Sequence, residues 1–483
     1  MSFATIALTV DLFGLNVALP EIGRELDLSD TQLQWVVTAY YLGLAAPLVA
    51  AGRIGDLFGR RRALLVGMLL FGTGSTIAAL AESGATLALA RGVAGIGAAF
   101  VTALSLTLVS DAFRDERRAV AVGTWSGIGA LGAAAGPLIA GVVTQQLGWR
   151  WIFWINIPFT VVTVAATYLV VPESRDPDRR RLDVPGVVLA TAALGLLTFG
   201  LVEGPDEGWS SASVIAALVV GVALIVVFAV VELRIDDPLV DLHWLVRPPA
   251  AGDSLAAFAG NAAFASVMFF VTLYYQEVRG EGPIATGVVF LAMTIPLGIM
   301  SPLSGRALRY IAPEVLLGVG MLVLAGSAGL FLLVDTDSGV WVLLAALVVS
   351  GIGQAFVFNV SNIEAVGSVP IARSGMAAGM VSGVRQVGSL VGLAATGAAF
   401  AAASTASLLA GSSSAGETSD FLDGFRAAMA ALLVICLVGA LAAPLARRRG
   451  APAVDQRADA GGPSTSLTGT LNRSRASSSP KSL

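Results

Sequence analysis

Residues 52–62 read GRIGDLFGRRR: three glycines, one acid and four arginines between two long apolar runs. Such a glycine-rich insert has three possible uses: a phosphate-binding loop, a topology signal or a moving part. The first fails. The stretch follows an apolar run of helical length rather than a strand, and it lacks both G-x-G-x-x-G spacing and the P-loop lysine. The only lysine in the chain is Lys481. What remains is a connection between two membrane spans, held on one side of the bilayer by Arg60, Arg61 and Arg62.

The rest of the chain agrees. Its 483 residues are 56% hydrophobic and 13% charged, against about 25% charged in soluble domains. That composition belongs to a polytopic membrane protein. One cysteine, Cys436, and one histidine, His243, leave no raw material for a disulfide, a thiol metal site or histidine-based catalysis. The apolar run from Phe3 is expected to be a first spanning helix, without the basic start and cleavage site of a signal peptide. It begins so near the first residue that a start further upstream stays open.

At about 20 apolar residues per span, fourteen segments qualify, and only helices satisfy their own backbone in lipid. The expected fold is therefore all-α with 14 transmembrane helices. Connections on the side of Gly52–Arg62, with the stretch after the last helix, carry 19 arginines, and those on the other side carry 4. The positive-inside rule then places both termini in the cytoplasm.

Self-comparison reveals a repeat. GRIGDLFGRRRALLVGML from Gly52 aligns with GRALRYIAPEVLLGVGML from Gly305, an offset of 253. GIGAAF from Gly95 matches GIGQAF from Gly351, and AVGTWSG from Ala121 matches AAGMVSG from Ala377, both at 256. Because eight helices separate the copies, they share a topology and form parallel repeats. The expected organisation is a six-helix half over 1–180, inserted helices 7 and 8 over 181–235, a second six-helix half over 250–446, and a disordered cytoplasmic tail over 447–483. Two such halves around a central site is an architecture of alternating-access transporters.

Five motifs carry a family resemblance. GRIGDLFGRRR resembles the helix 2–3 signature of the major facilitator superfamily. LALARGVAGIGAA (87–99) resembles its helix 4 motif, and GALGAAAGPLIAG (129–141) its antiporter motif. VDLFGLNVALP (10–20) and WRWIFWINIP (149–158) resemble motifs of its fourteen-helix drug:proton antiporters. Three positions depart from the pattern: Leu57 stands where a basic residue is usual, Phe13 where threonine is, and Ala140 where glycine is.

The residues can be weighed singly. Asp11 lies near the middle of helix 1, where an acid costs about 2.5–3.5 kcal/mol on insertion scales and marks function. It can act as a proton acceptor or a partner for a cationic substrate; a shorter helix 1 would instead leave it at an aqueous rim. Arg91, inside helix 4, needs an acid or a wet cavity, and Asp11 is its natural partner. Proton arrival at Asp11 would free Arg91, and the resemblance gives Arg91 a role in proton translocation. Gly132, Gly136, Pro137 and Gly141 permit close helix packing and a bend. The resemblance adds that they seal one face of the cavity.

Asn16, Asn261, Phe264, Asn359, Arg385 and Gln386 are candidates for the substrate cavity. Asn16 reads first as a bond across helices, and for Asn359, Asn362 and Gln386 interhelical bonding is an equal alternative to a cavity role. Glu364 is one candidate partner for Arg385. Phe264, Phe269, Phe270, Tyr274 and Tyr275 could form an aromatic pocket or face lipid, and Glu203 and Glu232 read as interfacial. Gly52, Asp56, Gly59, Arg60 and Arg61 form the expected cytoplasmic gate. Asp56 would face a helix N-terminus or an arginine across the halves, and the resemblance implies that this latch opens in each cycle. The second copy has Arg309 in place of that acid.

The expected function is a proton-coupled antiporter exporting hydrophobic small molecules, cations included, from the cytoplasm across a bacterial inner membrane. A symporter or facilitator for a small metabolite is the alternative. An enzyme would need a paired acid or an activated nucleophile, and none is visible. A transport-dead sensor would need more than a short tail. No cofactor, metal or nucleic acid is expected; the partners are a small-molecule substrate, protons and the lipid bilayer, and the protein is expected to be a monomer.

Overall fold

A computed structural model describes residues 2–113, 115–175, 182–235, 237–335, 339–367, 374–405, 407–409 and 415–447. The expected tail lies outside the described residues from position 448 onward, as do Arg114, Arg179 to Arg181 and Arg373.

Every regular element among the described residues is helical. The first set comprises α1 (Ser2–Glu25), α2 (Asp30–Ala45), α3 (Leu48–Phe58), α4 (Arg60–Ala79), α5 (Gly84–Ala112), α6 (Asp115–Leu147), α7 (Arg150–Trp154) and α8 (Asn156–Val170). An inserted pair follows, α9 (Val184–Glu207) and α10 (Ala212–Glu232), then the short α11 (Leu242–Leu245). The second set comprises α12 (Pro248–Leu273), α13 (Pro283–Ala307), α14 (Pro313–Phe331), α15 (Val340–Gly367), α16 (Ser374–Ala403) and α17 (Ala415–Ala442).

Twelve of these segments are long and apolar enough to cross a bilayer, and the α2–α3 pair, bent by 41°, makes thirteen. The expected fifth helix, residues 119–145, falls in α6, a helix of 33 residues, and the count among the described residues reaches thirteen rather than fourteen. Helix starts carry the side-chain caps that polar ends need. Ser29 and Gln32 form a capping box on α2, and Ser83, Asp183 and Ser211 cap α5, α9 and α10. Pro47, which has no N–H to donate, stands at the bend between α2 and α3.

The opening stretch differs from a loop. Helix α3 runs through Gly52 to Phe58, and α4 starts at Arg60, so Gly59 alone makes the turn. Its φ of 116° is open to glycine, and a Cβ there would lie 2.5 Å from the Glu173 carboxylate.

The repeat is visible in packing. A Cβ on Gly97 of α5 would lie 2.5 Å from the carbonyl oxygen of Gly67 in α4. A Cβ on Gly353 of α15 would lie 2.9 Å from that of Gly320 in α14. Small residues thus draw equivalent helix pairs together in both sets, as lipid-embedded packing favours.

The two sets meet along three seams. Phe13 of α1 meets Phe264 of α12 edge-on at 5.8 Å. Gly141 of α6 lies against Pro283, and Gly287 of α13 against Pro137. Gly397 of α16 lies against Gln34 of α2. Polar ties gather at the end that carries Glu25. The last turn of α12 widens into a π-helical turn, Tyr274–Val278, a feature frequent at functional sites. There Gln276 Nε2 donates to the Val17 carbonyl at 2.8 Å, and Glu277 lies 3.4 Å from Arg24. Asp30 accepts from the Leu408 N–H at 2.9 Å and from the Ser407 hydroxyl at 2.7 Å. Helix α9 docks on α2, where the Trp35 indole donates to Glu203 at 2.7 Å and Thr31 to Asp206.

Candidate translocation site

Asp11 and Arg91 are both 0% exposed, so neither lies at an aqueous rim. They form an ion pair at 2.7 Å between α1 and α5. The second carboxylate oxygen of Asp11 accepts from Asn156 Nδ2 at 2.9 Å, and that amide also reaches Ser75 Oγ at 3.2 Å. The Arg91 guanidinium sits 4.2 Å over the Tyr40 ring and 5.6 Å from that of Phe153. Nε and Nη2 of Arg91 find no acceptor. Burying two charges costs several kcal/mol per ion, offset only where geometry and hydrogen bonds are good. Here the carboxylate is well satisfied and the guanidinium is held partly by aromatic faces.

Asn156 is the residue that the sequence reading passed over. It opens α8 after the short turn at Ile155, and an asparagine at a helix start suggests a cap. Its place within WRWIFWINIP was the available signal.

The other candidates divide. Asn16 is buried but donates to the Leu12 carbonyl of its own helix at 2.9 Å; it bonds no neighbouring helix through that amide. Asn261 of α12 reaches Ser389 of α16 at 3.2 Å. Asn359 donates to the Ser301 carbonyl at 3.1 Å and thereby ties α15 to α13. Arg385 donates to Asn362 and Ser382, both at 2.8 Å, rather than to Glu364. Gln386 beside it is half-buried. Phe269, Phe270 and Tyr274 are buried in the core rather than facing lipid: Phe269 meets Phe270 edge-on, Phe270 stacks on Phe400, and Tyr274 lies tilted against Phe425. Phe264 meets Phe13 of the other set. Glu232 is buried rather than interfacial and accepts from the Val240 N–H at 2.9 Å.

The gate residues make local contacts. Asp56 pairs with Arg60 at 2.8 Å across the Gly59 turn, rather than with a helix terminus or an arginine of the second set. Only Leu57, Phe58 and the Gly59 turn separate the two residues, so the Arg60 side chain reaches back to Asp56 across the break between α3 and α4. Arg60 N–H donates to Ser174 O at 2.9 Å, Arg61 N–H to Glu173 at 3.0 Å, and Arg62 lies 3.5 Å from Glu173. The Arg61 guanidinium lies 5.0 Å from the Tyr168 ring. Gly52 has ordinary contacts, with Ala103 3.8 Å from its Cβ position. In α6, a Cβ on Gly136 would lie 3.1 Å from Phe13 of α1, and one on Gly132 would lie 3.6 Å from Thr9. Gly141 and Pro137 make the close contacts with α13 described above.

Two helical sets meet along glycine-lined seams, with a buried ion pair inside one of them, the build of a membrane transport protein. A model of the Major Facilitator Superfamily matches residues 1–393, and the chain belongs to that family. It is 36% identical over 398 residues to the multidrug resistance protein Stp of Mycobacterium tuberculosis, covering 81% of this chain and 73% of that one. It is 31% identical over 382 residues to the tetracenomycin C resistance and export protein of Streptomyces glaucescens, covering 79% and 71%. Among solved structures, a peptide transporter POT bound to alafosfalin superposes with a TM-score of 0.66 at 15% identity, over 92% of this chain and 93% of that one. At that identity the likeness speaks for the fold alone.

Proposed function

We propose that the protein is a proton-coupled antiporter that exports hydrophobic small molecules from the cytoplasm of a bacterial cell by alternating access. The observation that carries this is the Asp11–Arg91 pair, buried inside the first set and braced by Asn156. Protonation of Asp11 would cancel its charge and release Arg91, whose unsatisfied nitrogens then favour a rearranged contact. Each inward proton contributes about 2.3 kcal/mol per 100 mV of membrane potential. Export follows if protonation from outside and substrate binding from inside favour opposite states. The export relatives support the direction.

The arginine-rich Gly52–Arg62 end is the cytoplasmic one in this reading, and both termini are inside. The ties at the Glu25 end then form the outer seal, with the Gly141–Pro283 and Gly287–Pro137 contacts continuing it between α6 and α13. Residues 1–180 and 250–446 act as the two rocking halves, and the working unit is a monomer.

The test is Asp11→Asn in a pump-deficient bacterium, compared with the parent across dyes, quaternary ammonium compounds and antibiotics. Substrate-driven proton release is followed in inverted membrane vesicles. The reading expects loss of both export and substrate-driven proton movement. Undiminished export of every compound by the variant would remove Asp11 as the coupling group.

A further inference from the structure

Among the described residues two arginines lie buried inside the bundle, and they differ in one respect. Arg91 has Asp11 as its counter-charge. Arg385, 8% exposed, has neutral neighbours: Nη1 donates to the Asn362 side-chain oxygen, Nη2 to the Ser382 hydroxyl, and the guanidinium lies 4.5 Å over the Phe358 ring. Among the described residues no carboxylate pairs with it. An uncompensated charge in a membrane interior is costly and marks function by default. Two hydrogen bonds also leave most of its five donors for another group.

Its place in the fold says which group. Helix α16 runs between the two sets. Gly388 and Gly392 lie against Phe258 and Ala262 of α12, while the Cβ position of Gly383 is 3.7 Å from Val49 of α3, in the first set. Helix α15 turns Asn359 and Ala355 to α13, and Phe356 and Val357 to Gly320 of α14. Phe358 and Asn362, one helical turn apart, occupy the remaining face toward Arg385. Phe358 is 42% exposed although its helix packs on both flanks. Arg385 thus lies on a helix that touches both sets, beside the exposed ring of Phe358.

We propose that Arg385 is the anchor for an acidic group on the transported molecule, and that the site takes a carboxylate carried on a flat apolar body. The guanidinium fork accepts a carboxylate in two parallel hydrogen bonds, and the Phe358 ring offers surface for the apolar part. A carboxylate on the cargo supplies the counter-charge that Arg385 lacks among the described residues. A permanent cation would meet repulsion here, so the expected preference shifts from cationic to acid-bearing cargo. The inference rests on the space between the sets being the transport path.

The test uses the full-length protein, purified in detergent with added lipid, and two probes of one shape: 2-naphthoate and 2-naphthamide. Affinity is read from the concentration dependence of the thermal midpoint. The wild-type protein should bind the carboxylate about tenfold more tightly than the amide. Arg385→Gln should bring that ratio close to one, and Arg385→Lys, which keeps the charge without the fork, should leave an intermediate ratio. A wild-type ratio near one overturns the proposal, as does an unchanged ratio in Arg385→Gln. If the glutamine variant fails to fold, the wild-type ratio and its fall in the lysine variant still decide. The readout needs no transport and leaves Asp11 intact, so its failure is distinct from failure of proton coupling.

Discussion

Gly95 and Gly351 do the same work in the two sets. A Cβ on Gly95 would lie 2.3 Å from the carbonyl oxygen of Tyr40 in α2, and one on Gly351 would lie 2.1 Å from that of Met293 in α13. Each glycine lets an inner helix rest directly on a neighbour's backbone, which cannot yield as a side chain could. Gly95→Ala and Gly351→Ala should each destabilise the protein by about 1–3 kcal/mol, the usual cost of overpacking. Thermal unfolding in detergent reads the effect. Similar losses at both positions are expected; a midpoint unchanged in either variant would mean that the helices part freely there.

The Asp11–Arg91 pair calls for a double-mutant cycle. Removing one member of a buried pair leaves an unpaired charge and costs about 3–5 kcal/mol, whereas removing both relieves much of that cost. Asp11→Ala and Arg91→Ala should therefore each destabilise strongly, and the double variant by clearly less than their sum. All three should fail in export. A strictly additive double variant would show that the two charges do not depend on each other.

How much of this was readable beforehand varied with the physics. Asp11 and Arg91 could be paired in advance because charges inside a membrane are few and need each other. The repeat could be seen because backbone contact tolerates little besides glycine. Asn156 could not be assigned, since its role depends on the turn at Ile155 that aims it inward rather than at its own helix end. Phe269, Phe270 and Tyr274 were open because a core and a pocket present the same aromatic spacing. Asp56 was expected to face a helix N-terminus or an arginine across the halves; the contact it makes here is local, with Arg60 just past the Gly59 turn. Arg385 stands out in the sequence as a charge deep in a helix, but its neutral partners among the described residues follow from how α15 and α16 pack.

Within the opening stretch, the glycine should matter more to stability than the acid. Asp56 and Arg60 form a partly exposed pair, and such pairs contribute about 0–1 kcal/mol. Gly59 combines a φ of 116° with the Glu173 carboxylate pressed against it. Gly59→Ala should cost about 1–3 kcal/mol from backbone strain, and Asp56→Asn under about 1 kcal/mol. Asp56→Asn is expected to be folded and inserted yet impaired in export, if the α3–α4 turn moves during the cycle. Comparing unfolding midpoints with export of one dye separates the two effects. Full export by Asp56→Asn would confine the acid to a structural role.

The ties at the Glu25 end make the last prediction. Arg24 and Glu277 lie 3.4 Å apart and join α1 to the π-helical turn that ends α12. If the two sets rock about a central site, this contact has to break once per cycle. With the native Cys436 replaced by alanine, Arg24→Cys and Glu277→Cys should be bridged by a short, reducible thiol cross-linker. The cross-linked protein should lose export, and reduction should restore it. Each single-cysteine variant treated in the same way should be unaffected. Cys436 is buried, so its replacement should leave the reagent only the introduced thiols to react with. Export that persists in fully cross-linked protein would mean that this end stays closed throughout the cycle, and the alternating-access reading would have to give way.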